Sequence, residues 1–394
     1  MKPSTPGPLL DPILLCEPYL AGKEWDYMKA CLDTNWVSSA GKFVTRFEGL
    51  IADYTGVGNA VATVNGTAAL HMALLVAGVE PGDEVLTSTL TFIATANAVR
   101  HAGAEPVFVD ADAATWQMDP DLVVRFLEQD CDFRDGSLFN RRTGRRIGAV
   151  LPVHILGHPV DMDPIAEAAG AFGVPVIEDA TESLGASYKG RKVGSLGQIA
   201  CFSFNGNKLV TCGGGGMIVT ENTAWAEKAR HLTTQARSDP TEYKHDAVGY
   251  NYRLTNIQAA MGCAQFERLD DLIAAKHRIA KEYRGLCADV AGLSFLPRAP
   301  WADPVDWLST VLVDEEKFAM DSRGLLKFLA GRGIEARPLW QPLHQSDAHT
   351  GALCVKGAVA ERLFDAGLSL PSSAGLSNQD LGRVVSAIRG LSGA

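Results

Sequence analysis

Short apolar runs alternate with longer mixed segments over the first two-thirds of the chain. Ala60–Val64 is apolar, Asn65-Gly66 forms a turn, and Thr67–Ala77 resumes as an apolar stretch of helical length. The same rhythm continues through a strand at Glu84–Thr87, a helix at Ala94–Ala102 and a strand at Pro106–Asp110. Ala149–Val153 is a further apolar run, followed by a helix at Met162–Phe172 and strands at Val174–Ile177, Ile199–Phe204 and Gly216–Thr220. Buried-type strands separated by helices predict an α/β domain, with a mostly parallel sheet covered on both faces. Asp130–Arg146 is polar and charged, has a Thr143-Gly144 turn between arginines, and reads as an exposed hairpin insertion. Near Asp270 the texture changes to a long amphipathic helix and then to shorter elements. The expected division is a large domain over 1–269 and a smaller C-terminal α/β domain over 270–394, with segment 1–35 packed on the smaller one.

Composition narrows the function. Of 394 residues, 46% are hydrophobic and 21% charged, which excludes a disordered chain. A formal net charge of −10 argues against a general nucleic-acid binder or a polybasic membrane-surface protein, since both need clustered cations. It leaves room for one small anion held by backbone amides. The 8 cysteines show no Cys-x-x-Cys spacing, so no metal site is expected and the thiols read as reduced in a cytoplasmic enzyme. The stretch Tyr54–Val79 lacks acidic and basic residues but carries Asn65-Gly66 turn chemistry, so it reads as strand, turn and helix rather than a membrane span.

In open α/β sheets, ligands bind beyond the carboxyl ends of the strands, and four places stand out there. In VNGTAALHMAL (Val64–Leu74), Gly66 and Thr67 open a helix whose free amides make an anion site, or Thr67 is simply the cap. In PVIEDATES (Pro175–Ser183), Asp179 ends a buried strand; it either meets a cation or caps a helix. In CFSFNGNKLVTCGGGGMIVT (Cys201–Thr220), Ser203 leads to Lys208, which has no charged neighbour and precedes four glycines. A desolvated lysine is an amine nucleophile toward carbonyls, whereas a surface-turn lysine is inert. The glycines imply a turn or a closely packed cofactor. GYNYRLTNIQAAMG (Gly249–Gly262) reads only as a structured loop before a helix of small residues. No GxGxxG or Walker spacing occurs at the first of these junctions, which argues against a nicotinamide enzyme or a P-loop NTPase.

Together these motifs, with TFIATANAV and RPLWQPLH, resemble the DegT/DnrJ/EryC1/StrS family of sugar aminotransferases from about Glu17 to the end. The resemblance implies the aspartate-aminotransferase-like fold type I and pyridoxal 5′-phosphate as cofactor. It implies Lys208 as the lysine forming the internal aldimine and Asp179 as the acid pairing with the pyridine nitrogen. Ser203, Gly66 and Thr67 match the phosphate ligands, and Phe92 the ring against the cofactor face. Asn251 matches a residue reaching the neighbouring subunit's phosphate, which implies a homodimer with shared active sites. Trp36, Ser38 and His344 are sugar-side contacts on this reading, or else packed loop residues.

Two departures stand out. Glu182 occupies the place where the family usually has Gln or His, beside the cofactor's 3-hydroxyl, and Thr211-Cys212 with four glycines replaces TGEGG. The implied reaction moves an amino group from L-glutamate to the 4-keto carbon of a 6-deoxy nucleotide sugar, with Lys208 shuttling the proton. Similarity to members acting on UDP-linked N-acetyl sugars suggests UDP as the nucleotide. Amination at C3 and a non-catalytic regulatory relative are the alternatives. Dehydration by a pyridoxamine enzyme of the family is disfavoured, because that branch has His in place of the lysine.

Overall fold

The computed structural model describes residues 11–239, 241–355 and 357–392. Twelve strands form its two main sheets. They are β1 (Asn59–Thr63), β2 (Glu84–Ser88), β3 (Glu105–Val109), β4 (Ile147–Leu151), β5 (Ile177–Asp179), β6 (Ile199–Ser203) and β7 (Gly216–Thr220), then β8 (Leu293–Phe295), β9 (Ser309–Val313), β10 (Arg337–Pro338), β11 (Leu353–Val355) and β12 (Gly367–Leu370). The principal sheet consists of two four-stranded halves, β1-β7-β6-β5 and β11-β3-β2-β4. Parallel bridges Val150↔Val176 and Val153↔Asp179 join the halves at β4 and β5. All pairings are parallel except those of β7, which is antiparallel to both β1 and β6. The second sheet, β8-β9-β12-β10, is entirely antiparallel.

Among the described residues nine of the twelve helices precede the second sheet: α1 (Glu24–Asp33), α2 (Lys42–Thr55), α3 (Gly66–Val76), α4 (Ala94–His101), α5 (Pro120–Gln129), α6 (Met162–Ala171), α7 (Thr223–Thr233), α8 (Asn256–Phe266) and α9 (Leu269–Leu286). The central strands are buried along nearly their whole length, which is why they read as continuous apolar runs rather than alternating ones. One buried cluster includes Phe47, Phe202, Phe204 and Leu184, and a second includes Leu70, Met72, Ile177 and Ile218. A third cluster, with Ile279, Tyr283, Val311 and Leu368, belongs to the second sheet. α9 spans both regions, contributing Leu272 to the first cluster and Ile279 to the third.

The structure adds detail to four local expectations. The strand expected at Val174–Ile177 runs instead over Ile177–Asp179, although Val176 still bridges Val150. The hairpin strands Cys131–Arg134 and Ser137–Asn140 turn at Asp135-Gly136, both at positive φ as a two-residue hairpin turn requires; Thr143-Gly144 forms the next turn. The chain after Asp270 does not stay with the second sheet, because Leu353–Val355 pairs in parallel with β3 at the edge of the principal sheet. Residues 1–10 of the N-terminal segment lie outside the described residues, and the part from residue 11 on divides. Ile13 bridges Ile334 and joins the third cluster, whereas α1 sets Cys31 into the first. Among the described residues no helix is long and apolar enough to cross a membrane.

His71, on α3, is 4% exposed, and neither ring nitrogen has a hydrogen-bond partner among the described residues. Its ring stacks edge-on against Tyr250, Tyr252 and His101. Burial pulls its pKa from 6.5 to about 4. The unfolded chain therefore binds one more proton between those values, and stability falls as pH drops through that window. His71→Phe should remove this slope, giving about 1–2 kcal/mol more stability than the parent near pH 5 and little change near pH 7.5. Urea titrations at both pH values measure it; parallel pH profiles for the two proteins would refute it.

Candidate active site

Five strand ends and helix starts converge on a cavity of about 550 Å³. β1 ends at Thr63, and Asn65 caps α3 by accepting from the Ala68 amide at 2.8 Å. The cap is therefore Asn65, not Thr67, which leaves Thr67 in the first turn where its own amide is free to meet a ligand. Gly66 stands against Ser203: a Cβ there would lie 2.9 Å from the Ser203 Cβ. Any side chain at 66 would thus fill the space where helix amides and a serine hydroxyl face each other. Both line the cavity, as does Thr67.

The Glu178-Asp179 pair at the end of β5 splits between two environments, because neighbouring residues of a strand point to opposite faces. Glu178 is fully buried and accepts from the amides of Gly194, Leu196 and Gly197 at 2.7–2.9 Å, with His154 Nε2 at 3.1 Å. It is saturated by the fold. Asp179, 1% exposed, lines the cavity instead. Its Oδ2 accepts from Thr95 Oγ1 at 2.6 Å and its Oδ1 from the Thr181 amide at 3.1 Å. No cation among the described residues forms an ion pair with it. A carboxylate so placed has room for a positively charged ligand group.

Lys208 follows the Asn205-Gly206-Asn207 turn, and its Nζ lies 3.4 Å from Glu182 Oε1 and 4.1 Å from the Trp307 ring centroid. The other Glu182 oxygen accepts from the Leu156 amide at 2.9 Å. Burial raises the Glu182 carboxyl above the usual carboxylate range, and the Lys208 ammonium opposes that rise. Phe92 lines the same cavity but is 55% exposed. The glycine run has a packing cause, with no glycine of it on the cavity wall. Gly213 and Gly215 take positive φ, and a Cβ on Gly216 would strike the Asn65 carbonyl at 2.5 Å.

Lys208, Asp179, Glu182, Ser203, Gly66, Thr67 and Phe92 are thus gathered in one place, and the remaining four candidates are not. Asn251 is exposed, outside the cavity of its own chain, in a loop held by Arg253. Arg253 pairs with Glu48 at 3.0 Å and donates to the Ala62 carbonyl, which accounts for the GYNYRL motif as an anchor. Trp36, 58% exposed, borders a separate cavity, and the Ser38 carbonyl accepts from the Asn256 amide. His344 has both ring nitrogens engaged, by Thr89 at 2.7 Å and Glu361 at 3.1 Å. Sequence reasoning passed over Thr95, Trp307 and Arg337, all on the cavity wall. Thr95 and Arg337 lie inside quoted motifs (TFIATANAV and RPLWQPLH), so their polarity was a usable signal. Trp307 comes from the second sheet's approach and had none.

This fold and this cavity define a pyridoxal-phosphate enzyme of fold type I, with a lysine, a buried carboxylate and a helix-start cradle at the strand ends. The chain belongs to the DegT/DnrJ/EryC1/StrS aminotransferase family, whose profile matches residues 18–389. It is 41% identical over 377 residues to the GDP-perosamine synthase of Caulobacter vibrioides, covering 95% of this chain and 97% of that one. With the GDP-perosamine synthase of Escherichia coli O157:H7 it shares 38% identity over 365 residues, covering 93% and 94%. Among solved structures, S. venezuelae DesV in complex with a ketimine intermediate matches with a TM-score of 0.83 and 32% identity, over 94% of this chain and 95% of that one. The protein is a pyridoxal-phosphate-dependent sugar aminotransferase by family.

Proposed function

We propose that the protein transfers an amino group from L-glutamate to the 4-keto carbon of a 6-deoxy nucleotide sugar. The observation that carries this reading is the convergence of Lys208, Asp179, Ser203 and the Gly66-Thr67 helix start on one cavity. The residues fit pyridoxal phosphate: the α3 amides and Ser203 would hold the phosphate, and Asp179 would pair with the ring nitrogen. When bound, that cofactor would supply a carbon that holds the nitrogen between donor and acceptor and a ring that accepts electrons. The chain's own residues do the rest. Asp179, oriented by Thr95 and the Thr181 amide, would hold a proton on the ring nitrogen. Lys208 Nζ would carry a proton between the donor or sugar carbon and the cofactor carbon that bears the nitrogen, in opposite directions in the two halves of the reaction. The buried walls, Leu70 and Leu308 among them, limit water at the reacting carbon.

GDP is the nucleotide favoured by the similarity to GDP-perosamine synthases over nearly the whole chain. The UDP-linked N-acetyl reading stands second, supported by the Thr211-Cys212-glycine stretch and the opening LLCEPYLAGKEW. A panel of GDP-, UDP- and TDP-linked 4-keto-6-deoxy sugars with L-glutamate, read by product mass, decides. Highest kcat/KM on the GDP-linked sugar supports the first reading; turnover of UDP-linked sugars alone overturns it in favour of the second.

We also read the active enzyme as a two-fold homodimer in which Asn251 completes the partner subunit's phosphate site. Its exposure, on a loop anchored by Arg253 and Glu48, supports this. Asn251→Ala should lower pyridoxal-phosphate affinity about tenfold while leaving the dimer intact, as loss of one hydrogen bond to a charged group predicts. Equilibrium dialysis and sedimentation measure both, and a fully active monomer would contradict the assignment.

Glu182→Gln should keep the enzyme active, because Gln preserves the contact with the Leu156 amide. Removing the negative charge beside Lys208 should move the pH midpoint of the holoenzyme's yellow absorbance downward by about one unit. An unmoved midpoint would place Glu182 outside the electrostatics of the site.

A further inference from the structure

Trp307 belongs to no motif quoted from the sequence, yet three hydrogen bonds from three parts of the fold fix it beside Lys208. Its amide donates to the Leu156 carbonyl at 3.1 Å. Its Nε1 donates to the Asn207 carbonyl at 2.9 Å, directly before Lys208 in sequence. Its own carbonyl accepts from Lys276 Nζ at 2.9 Å. The residue is 4% exposed.

Lys276, on α9, is itself 2% exposed and pairs with no carboxylate among the described residues. An ammonium taken out of water without a counter-charge is costly to keep. Burial accordingly lowers its pKa. Its contacts are the Trp307 carbonyl, the Ser372 carbonyl and, at 3.5 Å, Cys16 Sγ. Trp307 and Cys16 both line the cavity, and Cys16 Sγ in turn meets the Asn207 carbonyl at 3.2 Å. Two of the three contacts of this costly charge, Trp307 and Cys16, therefore lie on the wall that faces Lys208.

Lys208 Nζ sits over the Trp307 ring at 4.1 Å with Glu182 Oε1 on another side at 3.4 Å. A lysine has four rotatable side-chain bonds, and without a platform its amine spends most of its time away from the reacting atoms. An aromatic face attracts the ammonium and restricts that freedom.

We propose that Trp307 is a positioning residue, whose indole face together with Glu182 holds the free Lys208 side chain in the cavity, and that Lys276 fixes the indole there. The proposal rests on reading Lys208 as the lysine that joins the cofactor. It adds a tryptophan from the second sheet's approach to the machinery and gives the buried Lys276 a function.

The test is covalent capture of pyridoxal phosphate by the cofactor-free full-length protein. In that step the Lys208 nitrogen adds to the aldehyde carbon and one water leaves. Stopped-flow absorbance follows it at each protein's optimal pH, and borohydride reduction with peptide mapping locates the lysine. Pyridoxamine phosphate, which has no aldehyde, reports non-covalent binding by calorimetry. Trp307→Leu should slow capture about tenfold or more, Trp307→Phe should restore it to within about threefold, and pyridoxamine phosphate affinity should stay within about twofold in both. Lys276→Gln, which touches Trp307 only through its carbonyl, should slow capture in the same direction and serves as the second arm if Trp307→Leu does not fold. Undiminished capture in Trp307→Leu or in Lys276→Gln overturns the proposal. So does an equal loss of pyridoxamine phosphate affinity, which would make Trp307 an ordinary wall residue. If the wild-type protein is trapped at a lysine other than Lys208, the underlying reading fails first and takes the proposal with it.

Discussion

Lys208→Ala protein is expected to fold, to bind pyridoxal phosphate through the α3 cradle, and to lose transamination by on the order of 10³-fold or more. The size of the effect follows from two jobs meeting in one nitrogen. Lys208 Nζ is the only amine among the residues lining the cavity, so it alone can join an aldehyde there. It also stands between the Glu182 carboxylate and the Trp307 ring, where a proton carrier must wait between uses. Folding should survive, because the side chain makes one ion pair and one ring contact and contributes nothing to the three core clusters. Circular dichroism and pyridoxal-phosphate dialysis establish the fold and the binding; a glutamate-dependent assay establishes the loss. Activity within tenfold of the parent would remove Lys208 from the chemistry.

Asp179→Asn is expected to cost about 10²-fold or more in rate with little change in stability. The substitution keeps an oxygen that accepts from the Thr181 amide, and its NH2 can donate to Thr95 Oγ1 with that hydroxyl turned round, so both local contacts can persist. The counter-charge for a protonated ring nitrogen is lost, and with it the electron sink. Glu178, one residue earlier, provides the contrast. It holds three backbone amides and His154, so Glu178→Gln should act on stability and leave the rate largely alone. Thermal midpoints and kcat for both variants separate the two roles. Near-parental kcat in Asp179→Asn would exclude it as the ring partner.

The contrast between these neighbouring acids shows what a single sequence can and cannot reveal. Strand periodicity places two carboxylates at the end of a buried strand, but which one faces a ligand depends on the loop at Gly194–Gly197 that covers the other. Strand β7 was legible because its apolar run is bounded by glycine and turn chemistry; its antiparallel direction was not, since burial on both faces leaves the same pattern in either direction. The four glycines signalled close approach, and the approach turned out to be to the Asn65 carbonyl. The phosphate cradle was legible because its parts, Gly66, Thr67 and Ser203, lie at strand ends. Trp307 was not, because it reaches the cavity from about a hundred residues farther along the chain, and single-sequence spacing carries no such distance. His344 and Trp36 stayed two-sided in the sequence, since a polar or aromatic residue in a motif is as readily a loop residue as a ligand contact.

The most direct test of the central claim is nitrogen transfer itself. The purified holoenzyme is incubated with ¹⁵N-L-glutamate and a GDP-linked 4-keto-6-deoxy sugar, and the products are analysed by mass spectrometry and NMR. The account predicts an amino sugar carrying ¹⁵N at the former keto carbon, formed in equal amount with 2-oxoglutarate and abolished by Lys208→Ala. A cofactor-loaded enzyme that forms no 2-oxoglutarate from glutamate, or a sugar product without ¹⁵N, would contradict it.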